Sequence, residues 1–411
     1  MSDIKPFKGL LPKPEFANIV ASPPYDVLSS DEAREMVKEN PHSFLNVIKP
    51  EITFESLEGV STDDLHYKGK ENLHRLISDG YLNSSEQESY YIYQQEFQGH
   101  IQTGVVLGAS VNEYQTGKIK KHEFTRPDKE NDRARHIELV GANTGPVFLT
   151  YKQSVDIDAF ITTCIDEVPY FSFTADDGVS HRLWQVTEFD KVNKLTDLFG
   201  LVPALYIADG HHRSAAAARL KEANSDASGE AFDYFLAVVF PDNQLNIIDY
   251  NRVLFELNGH SSQTILEKLS DSFECEQLQV DDAEDAKPRS QREFGMFLDD
   301  VWYRLSLKTE LIPSNDPVGS LDVSLLQNLV LEPLFGIENP RTDKRIDFVG
   351  GIRGLKELER RCKVDSKIAF ALFPTSIDQL ISIADAGEVM PPKSTWFEPK
   401  LRSGVVVRPF S

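Results

Sequence analysis

The chain has 411 residues, of which 40% are hydrophobic, so it is long enough to form two or three domains. Its 65 Asp and Glu residues outnumber 43 Lys and Arg residues, and the formal net charge of -22 disfavours nucleic acid and anionic membranes as partners. The three cysteines form no CxxC pair, and no apolar run has signal-peptide or membrane-spanning length, so a cytoplasmic protein is expected.

The first part of the chain predicts two helices and a β-hairpin. Ser29 followed by Glu32 is a capping-box pattern, so a helix is expected from there to Asn40, with Asp26 on the loop that precedes it. A second helix is expected from Thr62 to Asp79. Alternation with a period of two in "YYIYQQEF" and "TGVVLGASVNEY" predicts two paired strands.

A densely polar segment, "KHEFTRPDKENDRARHIELV", follows the hairpin, and its part from Glu130 to Val140 predicts a helix. Arg133 and His136 are three residues apart, which places them on one helical face. One interpretation is a solvated face with ion pairs such as Asp132 with His136. The other is one half of a phosphate-binding site, in which Arg133 neutralises charge that develops on a transferred group.

The middle of the chain leads to the most informative motif. The segment "YFSFTADDGVSHRLWQVTE" predicts two strands joined by a turn, and a helix is expected from Lys191 to Phe199. The apolar run "LVPALYIA" predicts a buried strand, and the alanine-rich run after "DGHHR" predicts a helix that begins near His212 or Arg213. In the rest of the sequence, strand-like runs alternate with helix-like runs, so the fold class is predicted to be mixed α/β (α+β).

The segment "DGHHR" has the composition of an anion site. A strand, a turn at Gly210 and a helix leave the first backbone N–H groups of the helix pointing beyond the end of the strand. The helix dipole, Arg213 and the donors of His211 and His212 favour an anion there. Asp209 would repel phosphate unless it binds a metal ion or accepts a proton from a substrate hydroxyl. The combination predicts phosphoryl chemistry, although Asp-Gly before a helix is also an ordinary turn signal.

Other polar residues are weaker candidates. Asp26 is either a solvated loop residue or a general base or magnesium ligand. Lys393 in "MPPKSTWF" resembles the end of a phosphate loop, but no GxxxxGK[ST] motif precedes it. A metal site on His136, His211 and His212 is a further alternative, although adjacent helical residues point about 100° apart.

Six separated segments resemble the DUF1015 family over residues 5 to 400: "KPFKGLLPKPE", "SPPYDVLSS", "NPHSFLNVIKPE", "HEFTRPDKENDRARH", "YIADGHHRSAAA" and "MPPKSTWFEPKL". The stretch from Leu201 to Phe255 is also similar to the phosphate-binding turn of the ParB/sulfiredoxin-like superfamily, which includes partition-protein nucleotidases, sulfiredoxin and free-serine kinases. This second resemblance implies a ParB/sulfiredoxin-like nucleotide-binding core elaborated by additional α/β segments. The phosphates of the nucleotide would lie on Gly210, His211, His212 and Arg213.

The same resemblance implies a kinase-like enzyme that uses ATP or ADP with Mg²⁺ and phosphorylates a small hydroxylated metabolite, with free serine as the candidate. The predicted catalytic residues are Asp26, Asp209, Arg133 and His136; Asp209 is the predicted metal ligand, and Lys393 is a further predicted nucleotide contact. A nucleotide-hydrolysing regulatory switch and a metal-dependent hydrolase remain the alternatives, and a homo-oligomer remains open. The expected regions are residues 1–155, a core at 156–260 that carries "DGHHR", and residues 261–411.

Overall fold

The computed structural model describes residues 2–225 and 230–410, and the chain divides into two compact units. Unit 1 comprises Met1–Lys121, Thr125–Leu245 and Pro399–Ser411, and unit 2 comprises His122–Phe124 and Asn246–Glu398. Helices and strands alternate in both units, which confirms the prediction of a mixed α/β fold. The division of the sequence into three regions stays a prediction.

The strands are β1 (Ile4–Lys5), β2 (Leu10–Pro12), β3 (Leu82–Ser84), β4 (Tyr90–Phe97), β5 (His100–Ser110), β6 (Ile119–Lys120), β7 (Ala142–Asn143), β8 (Val147–Tyr151), β9 (Phe171–Thr174), β10 (Ser180–Val186), β11 (Leu205–Asp209), β12 (Tyr234–Pro241), β13 (Ile247–Ile248), β14 (Tyr250–Leu254), β15 (Phe273–Gln277), β16 (Glu293–Leu298), β17 (Val301–Leu307), β18 (Ile346–Gly350), β19 (Ile368–Ala371), β20 (Trp396–Phe397) and β21 (Arg408–Pro409).

The α-helices are α1 (Ala17–Val20), α2 (Ser30–Lys38), α3 (Leu45–Ile48), α4 (Thr62–Ser78), α5 (Val111–Gln115), α6 (Pro127–Val140), α7 (Val155–Ile165), α8 (Phe189–Gly200), α9 (His211–Ala223), α10 (Ser262–Leu269), α11 (Asp322–Leu326), α12 (Glu332–Phe335), α13 (Leu355–Val364) and α14 (Ile377–Asp385). No helix within residues 2–225 and 230–410 is both long enough and apolar enough to cross a membrane.

Unit 1 is built on a mixed sheet. Over the described residues it has nine strands in the order β6-β11-β8-β12-β5-β4-β10-β9, with β1 beside β5. The pairs β12–β8 and β11–β6 are parallel, and the hairpin β4–β5 is antiparallel as the alternating pattern predicts. Residues 205–208 of β11 are all buried, which explains why the sequence there is uniformly apolar. The sheet therefore carries Asp209 at the end of a buried strand.

Helices α6 and α9 pack against each other in unit 1. Ala216 and Leu220 of α9 form a small apolar cluster with Ile137 of α6. The alanines at 215–218 are all buried, and their small side chains allow a close approach of α9 to its neighbours. This packing fixes the start of α9 and the middle of α6, and hence Arg213 and Arg133, in one unit.

Residues 399–410 return to unit 1 after the chain has passed through unit 2. The backbone N–H and C=O of Ser403 hydrogen-bond to those of Ser22, at 2.9 and 3.0 Å. Val407 pairs in the same way with Leu10, and β21 pairs with β7. The last segment is thus held along its length by backbone hydrogen bonds.

Unit 2 is built on an antiparallel sheet. Over its described residues this sheet has six strands in the order β15-β17-β16-β19-β14-β18. Unit 2 contains the hairpin β16–β17 and the helix α14, in line with the alternating strand-like and helix-like runs of its sequence. The segment "LDVSLLQNLVLEPLFG" forms α11 and α12 with a π-helical segment, Gln327–Leu331, between them.

Gly404 tests how tightly residues 399–410 are held. Its φ is +82°, and a Cβ there would lie 2.7 Å from Cγ of Phe44, whereas Gly117 has φ +77° and a Cβ there would meet no described atom within 4 Å. Alanine at either left-handed position should cost about 1 kcal/mol. Because of the clash, Gly404→Ala should lower the free energy of unfolding by a further amount of about 1–3 kcal/mol. Chemical denaturation measures both losses, and equal losses would contradict the close contact with Phe44.

Candidate functional site

The "DGHHR" segment forms the strand, turn and helix that the sequence predicts. Strand β11 ends at Asp209, Gly210 has φ +98°, and α9 begins at His211. Glycine suits this left-handed φ, and a Cβ on Gly210 would lie 3.2 Å from Nε of Arg213. The glycine therefore permits both the turn and the close approach of the Arg213 guanidinium.

Asp209 lies between two cations. Lys400 Nζ is 3.0 Å from Asp209 Oδ2, and Arg213 Nη2 is 4.0 Å from Asp209 Oδ1. Burial raises the pKa of Asp209, but the charges of Lys400 and Arg213 outweigh it and hold this pKa well below its ordinary value. Such an ionised carboxylate is a weak proton acceptor at neutral pH. The geometry therefore favours a role for Asp209 in holding cations and disfavours a role as a general base.

Tyr25 lies among the other charged groups. Burial raises the pKa of Tyr25 to about 12, Asp26 and Asp209 also raise this pKa, and Arg133 and Arg213 lower it. The Arg133 guanidinium also lies over the Tyr25 ring, with Cζ 4.4 Å from the ring centroid. The structure therefore brings Asp26, Arg133 and the two ends of "DGHHR" together from three separate segments.

Arg213 is the most enclosed cation of this group. Its Nη1 donates a hydrogen bond to the backbone oxygen of Pro146. Burial lowers the pKa of Arg213, and the carboxylates of Asp26 and Asp209 more than offset that effect, so the net shift is upward. The guanidinium is thus charged at every pH at which the protein folds, and its position is fixed.

Arg133 is held by a carboxylate beside it in the sequence. Its Nε and Nη2 donate to Asp132 Oδ2 at 2.8 and 2.6 Å, and His66 Nε2 is 3.4 Å from Asp132 Oδ1. Burial raises the pKa of Asp132, but the nearby His66 and the charge of Arg133 outweigh burial and hold this pKa well below its ordinary value. Asp132 therefore pairs with Arg133 and His66, and not with His136 as the solvated-face interpretation expects.

His136 and His212 hydrogen-bond to the backbone. His136 is buried, its Nε2 donates to the Val47 oxygen at 3.0 Å, and burial with the charge of Arg133 lowers its pKa to about 3. His136 is consequently neutral near pH 7. His212 Nε2 accepts a hydrogen bond from the Arg126 backbone N–H at 3.1 Å, next to the start of α6. His211 is buried, and its interaction with Asp209 lowers the pKa of Asp209.

A small cavity opens between these groups. It has a volume of about 30 Å³, and its polar lining includes Tyr25, Arg133, His136, Asn143, Thr144 and Arg213. One water needs roughly 10–15 Å³ of such volume, so the cavity has room for two or three waters or for a group of that size. Two guanidinium groups at its wall favour an anionic group. A larger ligand would place only one anionic group inside this cavity, and the remainder of the ligand would extend over the rest of the site.

Lys393 lies in unit 2 and is not among the residues that unit 1 brings together. Its ammonium is 5.6 Å from the centroid of the Tyr250 ring, and its backbone oxygen accepts a hydrogen bond from Arg252 Nη2 at 2.9 Å. Its role as a nucleotide contact stays a prediction. The segment "MPPKSTWFEPKL" contains a second lysine, Lys400, and no local pattern in the sequence indicates that this one reaches Asp209.

The described residues do not form a metal site of their own. Within residues 2–225 and 230–410, no group of three or more His, Cys, Asp or Glu side chains is placed to hold a metal ion. Both oxygens of Asp209 also face cations, which is unfavourable for a metal ligand. The assignment of Asp209 as a magnesium ligand therefore stays a prediction that this geometry does not support.

Comparison with known proteins shows the family of the chain. Residues 4–324 match the family model described as "Protein of unknown function (DUF1015)", and the chain belongs to this family, as the six sequence segments indicate. No curated protein matches the chain.

Several solved structures are similar to the chain. A free serine kinase in complex with AMP is 15% identical, and the match covers 72% of this chain and 86% of the kinase with a TM-score of 0.35. A conserved hypothetical protein from Pyrococcus furiosus is 15% identical, with coverages of 73% and 93% and a TM-score of 0.35. SbnI with a C-terminal truncation, from Staphylococcus aureus, is 12% identical, with coverages of 72% and 85% and a TM-score of 0.37.

Lys400→Met tests whether Lys400 stabilises the ionised form of Asp209. We expect the pKa of Asp209 to rise in the variant, and the free energy of unfolding to fall by about 1–3 kcal/mol at pH 7. A lowered folded-state pKa stabilises the protein above the unfolded-state value of about 3.9 and loses that effect as the pH falls through the folded-state pKa. The difference between wild type and variant should therefore be constant from pH 7 to about pH 5 and shrink below about pH 4.

The matched control for this experiment is Lys68→Met, which removes the exposed ion pair between Lys68 and Glu71. Exposed pairs contribute about 0.2–1 kcal/mol, so the control should change stability little. Chemical denaturation over this pH range measures both variants. A loss in Lys400→Met no larger than in the control would contradict a strong interaction with Asp209.

Proposed function

We propose that the protein is a cytoplasmic, nucleotide-dependent phosphotransferase that acts on a small hydroxylated metabolite, with free serine as the first acceptor to test. The observation that supports this proposal best is the position of Asp26, Arg133 and Arg213 around one cavity beside the start of α9, since both arginines line it and Asp26 follows Tyr25, which also lines it. Phosphoryl transfer requires cations to hold the phosphates and a carboxylate to orient the attacking hydroxyl. These three residues supply both kinds of group.

Each residue has a definite role in the proposed reaction. Arg213 and the backbone N–H groups of the first turn of α9 bind the phosphates of ATP or ADP, since a helix N-terminus favours anions. Arg133 faces the transferred group and neutralises its charge. Its pairing with Asp132 and its contact with the Tyr25 ring hold it in place before the substrate binds.

Asp26 is the proposed acceptor of the hydroxyl proton. Its side chain is exposed, whereas both oxygens of Asp209 face cations. In the proposed step the acceptor oxygen bonds to the terminal phosphorus, the bond from phosphorus to the bridging oxygen breaks, and the hydroxyl proton passes to the Asp26 carboxylate. Mg²⁺ in such reactions is bound largely by phosphate oxygens and water, so it would enter with the nucleotide.

Arg213→Ala tests the nucleotide site. Wild type should bind at least one of ATP, ADP and CTP in the presence of Mg²⁺, and the variant should bind about ten- to a hundredfold more weakly, because it loses a charge-assisted hydrogen bond to phosphate. Isothermal titration calorimetry measures the affinity, and circular dichroism confirms the fold. Arg219→Ala removes an arginine from the exposed side of α9 and should bind like wild type. Equal affinities of wild type and Arg213→Ala would contradict the site, and no binding by wild type would overturn the proposal.

Asp26→Asn separates catalysis from binding. Loss of a general base lowers rates by about 10²–10⁴-fold, so phosphorylation of the acceptor should fall by that factor while the Kd for nucleotide changes little. Phosphoserine formation, followed by mass spectrometry, measures transfer. The control is Asp31→Asn, which changes a carboxylate in α2 that is 93% exposed. Full transfer by Asp26→Asn would contradict the assigned role, and wild-type hydrolysis of nucleotide without any effect of acceptor would favour a regulatory switch.

A further inference from the structure

Two buried glutamines position the backbone of Lys400. Gln95 of β4 and Gln102 of β5 are direct partners in the hairpin, and both are completely buried. Gln102 Nε2 donates to Gln95 Oε1 at 2.9 Å, and Gln95 Nε2 donates to the Lys400 backbone oxygen at 2.9 Å. An amide in the interior is unfavourable unless it is hydrogen-bonded, so this chain of donors has one favoured arrangement. The position of Lys400 is therefore set by the core of unit 1.

The side chain of Lys400 adds a second cation to the start of α9. Its ammonium and the Arg213 guanidinium face different oxygens of the single Asp209 carboxylate. Asp26 also acts on Arg213, so two carboxylates face these two positive charges, and the N-terminus of α9 adds roughly half a positive charge. An ammonium is also a compact, strongly hydrated charge that suits phosphate oxygens. The two cations and the first-turn N–H groups of α9 therefore supply hydrogen-bond donors for a chain of phosphates.

We propose that Lys400 binds phosphate oxygens next to Arg213, and that Asp209 is a positioning residue for both cations. The ligand class is a polyphosphate chain, either free or as part of a nucleotide; for a nucleotide the inference rests on the function proposed above. Asp209 then neither ligates a metal nor accepts a proton. It holds one cation at each of its two oxygens, and Gln95 fixes the main chain from which Lys400 extends.

The test compares tripolyphosphate, Mg-ATP and adenosine as ligands in calorimetric titrations. Lys400→Met should lower the affinity for tripolyphosphate and for ATP by about tenfold or more. It should leave any affinity for adenosine unchanged, since a lost ion pair to phosphate affects only the charged ligands. Lys400→Arg should restore part of the loss because it keeps the charge. Lys68→Met, at an exposed site of the same unit, is the control and should match wild type.

Asp209→Asn tests the positioning role through the sign of its effect. Removal of a negative charge near an anion site should by itself tighten the binding of tripolyphosphate. If Asp209 holds Lys400 and Arg213 in place, the variant should instead bind about threefold or more weakly, because Lys400 loses its ion pair and Arg213 loses one of its two carboxylate neighbours. Tighter binding by Asp209→Asn would overturn the positioning role.

The outcomes separate this inference from the proposed function. Wild-type nucleotide binding that Lys400→Met leaves unchanged would overturn the role of Lys400 and leave the phosphotransferase proposal standing. Binding of tripolyphosphate that depends on Lys400, without binding of any nucleotide, would support the polyphosphate site and overturn the nucleotide proposal. Binding of neither ligand by wild type would overturn both.

Discussion

The candidate site depends on one ionised carboxylate, that of Asp209, held between Lys400 and Arg213. Without these cations a carboxylate at the start of α9 would oppose an anion and would be costly to bury. With them it fixes two positive charges next to the first turn of a helix. The same interaction joins residues 399–410 to the end of β11, so it links the fold of unit 1 to the chemistry proposed for the site.

The positions of the other charged groups depend on how the helices pack. The buried alanines of α9 allow close contact with α6, and this contact brings Arg133 to the same region as Arg213. Arg133 is then fixed by Asp132 and by the Tyr25 ring. Because these side chains are held before any ligand binds, little conformational entropy is lost on binding, which favours both affinity and catalysis. Asp26, which is exposed, remains accessible to an acceptor.

The sequence predicts features that depend on neighbouring residues and misses those that depend on distant ones. Capping at Ser29, the strand before Asp209 and the turn at Gly210 agree with the structure, because each follows from local pattern. The contact of Lys400 with Asp209 joins residues 191 positions apart, and no periodicity reports it. Tyr25 and the pairing of Asp132 with His66 were missed for the same reason. Lys393 was predicted as a nucleotide contact because Ser394 and Thr395 follow it, as at the end of a phosphate loop. This local resemblance carries no information on tertiary position.

A crystal structure of the protein with ADP and Mg²⁺ would test the central claim most directly. The account predicts phosphate oxygens within hydrogen-bond distance of the Arg213 guanidinium and of the backbone N–H groups in the first turn of α9, with the ammonium of Lys400 beside them. A nucleotide whose phosphates lie elsewhere in the chain, with the contact between Lys400 and Asp209 unchanged and no anion at the start of α9, would contradict it.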